Sequence, residues 1–251
     1  MVKEIYIATP FGKITLQQHL KDEQQCYPTV LILTGDSPKG FSGASCQKLI
    51  PEFLNKNYGV VVFDFHGLGK SDGERKNLTL TRGIEDFKYV LDKFWTLNNI
   101  NFSKTAIFAT SFGATVALAN SKLLNDFSVV ILRSPCTFLP DAYMNEIGIE
   151  HYDDWSKNDY CELNGYKFDV IMDALNYNIY SEAKVLKVPC RIVYGECDEV
   201  VPLLQTKLLY SVLNTNKSIS CINEANHGYS VGTTFEDMLR VILEWLQEFF
   251  Q

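Results

Sequence analysis

Several features are scarce in this 251-residue chain, and each scarcity removes a class of protein. No apolar run approaches the ~20 residues that cross a bilayer, so no membrane span is expected. The opening "MVKEIYIATPFGKITL" has no basic segment followed by an apolar one and does not read as a signal peptide. The seven cysteines, at 26, 46, 136, 161, 190, 197 and 221, are odd in number and include no CxxC pair. That pattern speaks against a disulfide framework or a zinc site and predicts reduced thiols and a cytoplasmic location. With only four histidines, no His-rich metal site is expected, and no metal or organic cofactor is called for. A formal net charge of −7 counts against a nucleic-acid partner.

The chain has the material for a core: 46% of its residues are hydrophobic and 21% charged, enough for one large α/β domain. Six short apolar runs recur, "TVLILT" (29–34), "GVVVFDF" (59–65), "TAIFAT" (105–110), "SVVILR" (128–133), "CRIVYG" (190–195) and "SISCIN" (218–223). The first five are nearly continuous rather than alternating, as strands covered on both faces read. Helical patterns fall between them at 43–57, 81–97, 111–124, 202–213 and 234–250. Strand–helix–strand alternation predicts a mostly parallel central sheet with helices on both faces. "EIYIAT" and "KITLQQHL", joined by Pro10-Phe11-Gly12, read as an antiparallel hairpin at its edge. No repeat or low-complexity linker divides the chain, so 1–251 is expected to be a single domain. The alternation breaks once, over 137–185, where 49 residues intervene as an insertion that rides on the sheet.

The stretch "TAIFATSFGATVALA" (105–119) turns from strand to helix with no room for a loop, and Ser111 stands at the corner. In open α/β sheets, sites form at the carboxyl ends of strands. A sharp corner there strains the serine backbone and requires small neighbours, which Ala109 and Gly113 supply. Ala-Thr-Ser-Phe-Gly is the nucleophile-elbow pattern with Ala for the first Gly. In this stretch the chain resembles the α/β-hydrolase superfamily. Taken alone, Ser111 has a lesser alternative reading as a helix cap.

A serine nucleophile needs a base, and the base needs an acid. The resemblance implies the chain order Ser, acid, His. After Ser111 only His151 and His227 remain; His151 lies in the insertion, whereas His227 follows the strand "SISCIN" in "NEANHGY". Asp198 follows "CRIVYG" in "GECDEVVP", which resembles the acid-bearing segment of the superfamily; Glu196 and Glu199 are rival acids. The catalytic set expected is Ser111, Asp198 and His227.

For the oxyanion, the resemblance implies the backbone N–H of Phe112 and one from the loop after "TVLILT". Thr34-Gly35-Asp36 stands where many relatives carry His-Gly-x, so Asp36 is the expected donor, with Ser37 the alternative if the register shifts. A carboxylate facing an oxyanion would oppose catalysis, so the Asp36 side chain is expected to turn away, bonding its own loop as an Asx turn. "DFHGLGKSDG" (64–73) also resembles the superfamily; Gly67 and Gly69 are expected in tight turns and His66 as loop support.

The resemblance makes 137–185 a cap over the site. Among its aromatics, Phe138, Tyr143, Trp155 and Tyr160 are candidates to line a substrate pocket, the alternative being that they pack the cap onto the body. Asn164-Gly165 signals a hairpin, and a cap with a hairpin is more similar to feruloyl and cinnamoyl esterases than to purely helical caps. The segment holds ten acids against three lysines, a balance equal to the −7 of the whole chain. An acidic lid repels anions, which favours neutral esters or substrates with a free amine.

The resemblance therefore implies a serine hydrolase of the esterase or lipase kind, acting on a small or medium neutral carboxylic ester as its small-molecule partner. An amidase like the serine aminopeptidases, or a thioesterase, is the rival within hydrolases. A non-catalytic α/β-hydrolase-fold binding protein is the rival of another class.

Overall fold

Successive residues of a strand point to opposite faces, so a strand covered on both sides must be apolar throughout. In the computed structural model, which describes residues 1–250, β3 (Tyr27–Leu33) and β4 (Gly59–Phe63) behave in this way. Leu31, Leu33, Val61 and Phe63 enter one core, and Val30, Ile32, Val60 and Val62 enter the other. The strands β5 (Ile100–Thr110) and β6 (Val129–Arg133) continue the division, with Ile107, Val130 and Leu132 on the first side and Phe108, Val129 and Ile131 on the second.

The edge hairpin is β1 (Val2–Thr9) and β2 (Gly12–His19), paired from Val2↔His19 to Thr9↔Gly12. With β9 (Cys190–Gly195) and β10 (Lys217–Ile222), named after two short strands below, the sheet has eight strands in the order β1-β2-β4-β3-β5-β6-β9-β10. Within this sheet, among the described residues, only the β1–β2 and β2–β4 pairings are antiparallel.

The second core is roofed by α1 (Ala44–Asn55) and α10 (Thr234–Phe250). The first is roofed by α2 (Leu80–Phe94), α3 (Phe112–Ala119), its short continuation α4 (Ser121–Leu124), and α9 (Leu203–Val212). In α2, Leu80, Ile84, Phe87, Val90, Leu91 and Phe94 fall on helical spacing and form the buried face. Thr79 caps its start by accepting from the Arg82 N–H. Among the described residues no helix is long and apolar enough to cross a membrane.

The insertion between β6 and β9 contains α5 (Leu139–Ile147), α6 (Ile149–Asn158), β7 (Tyr160–Cys161), β8 (Tyr166–Lys167), α7 (Asp169–Ala174) and α8 (Ile179–Ala183). Its buried side chains, Tyr143, Trp155, Tyr166 and Ile171 among them, join the first core. The expected hairpin is present, but its loop has four residues, because Cys161 pairs with Tyr166. Asn164 Oδ1 accepts the Tyr166 N–H, and Gly165 takes φ +75° to close the turn.

The chain leaves β3 for β4 on one side and then crosses to β5 on the other. The strand order therefore reverses beside β3. The crevice beyond the carboxyl ends of β3 and β5 is where such sheets hold ligands.

Candidate active site

β5 ends at Thr110 and α3 begins at Phe112, leaving Ser111 alone to make the turn, at φ 48° and ψ −119°. That backbone is strained for a residue with a Cβ. It is held because the Ser111 N–H donates to the Arg133 carbonyl at 3.0 Å, while the Ser111 carbonyl accepts from Ala114 and Thr115 at 2.9 and 3.1 Å. Close packing explains the small neighbours: a Cβ on Gly113 would lie 2.3 Å from the Thr34 carbonyl oxygen and 2.7 Å from that of Leu33. Ala109 is fully buried. Ser111 thus stands at the start of α3, where the Phe112 N–H belongs to a first turn without helical acceptors.

The loops after β9 and β10 bring two further side chains to the same point. His227 Nε2 lies 3.1 Å from Ser111 Oγ, and His227 Nδ1 lies 2.9 and 3.0 Å from the two oxygens of Asp198. Those loops nest closely, since a Cβ on Gly195 would sit 2.3 Å from the Ala225 carbonyl oxygen. Asp198 Oδ1 also accepts the N–H groups of Val200 and Val201 at 3.0 and 2.9 Å. Burial pushes the Asp198 carboxyl up, but the bonds from His227, Val201 and Ser134 outweigh it and hold the group below its ordinary value. The rival acids brace backbone instead: Glu196 accepts the Glu224 N–H at 3.0 Å and Glu199 the His227 N–H at 3.4 Å. His66 is paired to Asp86 at 2.6 Å in the loop after β4, and His151 is exposed on α6.

Gly35 approaches the serine so closely that a Cβ there would be 3.5 Å from Ser111 Cβ. Asp36 lines both cavities that open at Ser111, whereas Ser37 lines only the larger. The Asp36 side chain corrects an expectation. It forms no Asx turn; its Oδ2 accepts the hydroxyls of Tyr143 and Tyr166, from the insertion, at 2.8 and 3.0 Å. Both tyrosines are buried and their hydroxyls need an acceptor, which this carboxylate supplies. Burial, with the Asp36 charge beside them, pushes both phenols well above their ordinary range, so they remain donors.

The larger cavity, of about 410 Å³, is walled by Ser111, His227, Asp36, Arg75, Arg133 and Asn164 with their neighbours. The smaller, about 80 Å³, touches Ser111, Phe112, His227, Tyr143 and Glu146. Of the four insertion aromatics expected at the pocket, only Tyr143 lines either of these two cavities. Trp155 is buried inside the insertion, donating Nε1–H to the Tyr166 carbonyl at 3.0 Å and meeting Tyr143, Tyr152 and Phe168 edge-on. Phe138 and Tyr160 are 39% and 46% exposed and line neither cavity. The aromatic density of the insertion therefore serves its own packing. Arg75, Arg133, Glu146, Leu163 and Asn164 were not singled out from the sequence as site residues. The available signal was Arg133 itself, a charge ending the otherwise apolar strand "VVILR" at the carboxyl edge.

Comparison with known proteins gives a consistent placement. Residues 40–157 match the family described as Serine aminopeptidase, S33. An uncharacterized protein YfhR of Escherichia coli O157:H7 is 24% identical over 181 residues, covering 71% of this chain and 56% of that protein. The quorum-quenching protein AidA of Acinetobacter baumannii is 32% identical over 98 residues, 38% of this chain and 32% of that one. The chain thus spans little more than half, or less, of these relatives. The solved structure of Est1E from Butyrivibrio proteoclasticus with ferulic acid superposes with a TM-score of 0.83 at 18% identity, over 97% of this chain and 98% of that one. A mostly parallel sheet with a strained serine between strand and helix at its switch point, matched along nearly its whole length by such a structure, shows the α/β-hydrolase fold.

Proposed function

We propose that this chain is a serine hydrolase that cleaves a carboxylic ester of small or medium size through an acyl-enzyme. The observation that carries the reading is the continuous line of contacts from Ser111 Oγ through His227 to Asp198, at 3.1 and 2.9 Å. Ser111 Oγ attacks the ester carbonyl carbon while its proton passes to His227 Nε2. The N–H groups of Phe112 and Asp36 hold the oxyanion. The carbon–oxygen bond to the alcohol breaks, and the alcohol leaves with the proton from His227. Water then gives a proton to His227, attacks the acyl carbon and frees Ser111, which recovers its proton. Asp198, kept ionised, accepts from Nδ1 and stabilises the imidazolium. The insertion acts as the cap, excluding water over a cavity large enough for a small organic ligand.

The description of the matching family favours a second reading, cleavage of an amide by the same residues. Relative rates on matched esters and amides separate the two. The first test is hydrolysis of p-nitrophenyl acetate, butyrate and octanoate by wild type and Ser111→Ala. Turnover is expected to fall by ~10³-fold or more in the variant. Equal, feeble rates from both proteins would remove Ser111 from this chemistry.

A further inference from the structure

Eight side-chain nitrogen or oxygen atoms are buried without a partner among the described residues, and four belong to the wall of the larger cavity. They are Thr34 Oγ1, Arg75 Nε, Arg133 Nε and Asn164 Nδ2, three of them nitrogens that can only donate. Each of these atoms is closed off from solvent, so a ligand meets this wall through the rest of each side chain and not through these atoms.

Arg133 narrows the chemistry. It is 7% exposed, donates Nη1–H to Ser45 Oγ at 2.7 Å and lies over the Tyr229 ring at 5.2 Å. No ion pair among the described residues includes it. The Asp198 charge acts on it from beyond bonding distance; a guanidinium buried with no carboxylate bonded to it is costly, and an anion brought to it offsets that cost. The same wall contains the start of the 12-residue helix α1: Gly43, Ala44, Ser45 and Cys46. No side chain caps that helix, and its first turn holds no acid, so its free N–H groups and the positive end of its dipole remain available.

We propose that the larger cavity binds a carboxylate carried by the substrate, between the Arg133 guanidinium and the uncapped start of α1. Resting on the hydrolase reading above, the ester cleaved at Ser111 is then one half of an acid-bearing molecule, such as the monoester of a dicarboxylic acid. The Arg75 guanidinium faces the charges of Asp36 and Glu146 on the same cavity, which leaves Arg133 to match one negative charge and disfavours a phosphate dianion. The acidity of the insertion, which favoured neutral esters, does not stand in the way. Of its ten acids only Glu146 lines either cavity, and Glu150, Asp153, Asp154, Asp159, Glu162, Asp169 and Glu182 are exposed.

The test compares monomethyl glutarate, adipate and suberate with the uncharged methyl esters of equal length, following acid release by the full chain near neutral pH. At one chain length at least, kcat/KM is expected to favour the acid-bearing ester by ~10-fold or more. Arg133→Met is expected to bring that ratio to about one or below. If that variant does not fold, Ser45→Asp is the second probe, since it places a carboxylate at the start of α1 beside Arg133 and should abolish the same preference. Ser111-dependent turnover of both ester series without any preference for the acids would overturn the subsite and leave the hydrolase reading standing. If neither series is turned over, calorimetry of the same monoesters with Ser111→Ala decides the subsite separately. Binding of the acid ~10-fold tighter than of its uncharged partner would support it, and equal or absent binding would overturn it.

Discussion

A serine hydroxyl is a weak nucleophile, so what distinguishes Ser111 is where its backbone puts it and what stands beside it. Asp198 illustrates how the fold sets the charge of such a group. Burial opposes its ionisation, yet the bonds from His227, Val201 and Ser134 prevail and lower its pKa in the folded state. A lowered carboxyl contributes stability that is complete above the unfolded value of ~3.9 and is lost as pH falls through the folded value below it. Urea unfolding of wild type and Asp198→Asn across pH should therefore show a stability difference that is constant from neutral pH down to about 5 and shrinks in stronger acid. A difference that grew on acidification would show that the carboxylate is not favoured by the fold. The residue scale was partly legible in advance. The trio at 111, 198 and 227 was singled out from the order of three strand ends, whereas the partners of Asp36 lie more than a hundred residues away on the insertion and leave no local trace.

At the scale of elements, two contacts govern the site. The first is the approach of α3 to the end of β3 at Gly113. Adding a methyl there drives it into two backbone carbonyls that cannot yield. Gly113→Ala is expected to cost about 3 kcal/mol or more in a denaturant melt. Gly228→Ala, whose nearest atoms would be 3.9 Å away, should cost far less. Comparable losses at the two positions would refute the packing argument. The second contact is the bond of Tyr143 and Tyr166 to Asp36, which ties the insertion to the loop proposed to offer the oxyanion its second donor. Asp36→Ala is expected to lower kcat by about tenfold through loosening that loop, and Tyr143→Phe with Tyr166→Phe should add little to it. A severalfold rise in kcat would mean instead that the carboxylate acts against the oxyanion. Apolar continuity announced the strands because both faces of the sheet are covered. The insertion was harder to read, since its aromatics at 152, 155 and 168 face one another rather than the cavity, and only tertiary packing decides between those outcomes.

At the scale of the whole molecule, the crossover at β3 makes three strand ends and one insertion share a single crevice. Net charge was a poor guide to that crevice. Nine of the ten acids of the insertion line neither cavity at Ser111, while two arginines distant in sequence, Arg75 and Arg133, line the larger one. Only their convergence in three dimensions makes them a pair of interest. The central claim is that this convergence exposes one activated nucleophile, Ser111. The measurement that tests it most directly is reaction of the native protein with a fluorophosphonate, followed by intact-mass and peptide analysis. The account predicts one adduct, on Ser111, formed rapidly in wild type and not in Ser111→Ala, and slowed at least ~10²-fold in His227→Ala. An adduct on another residue, or equal labelling of wild type and Ser111→Ala, would contradict it.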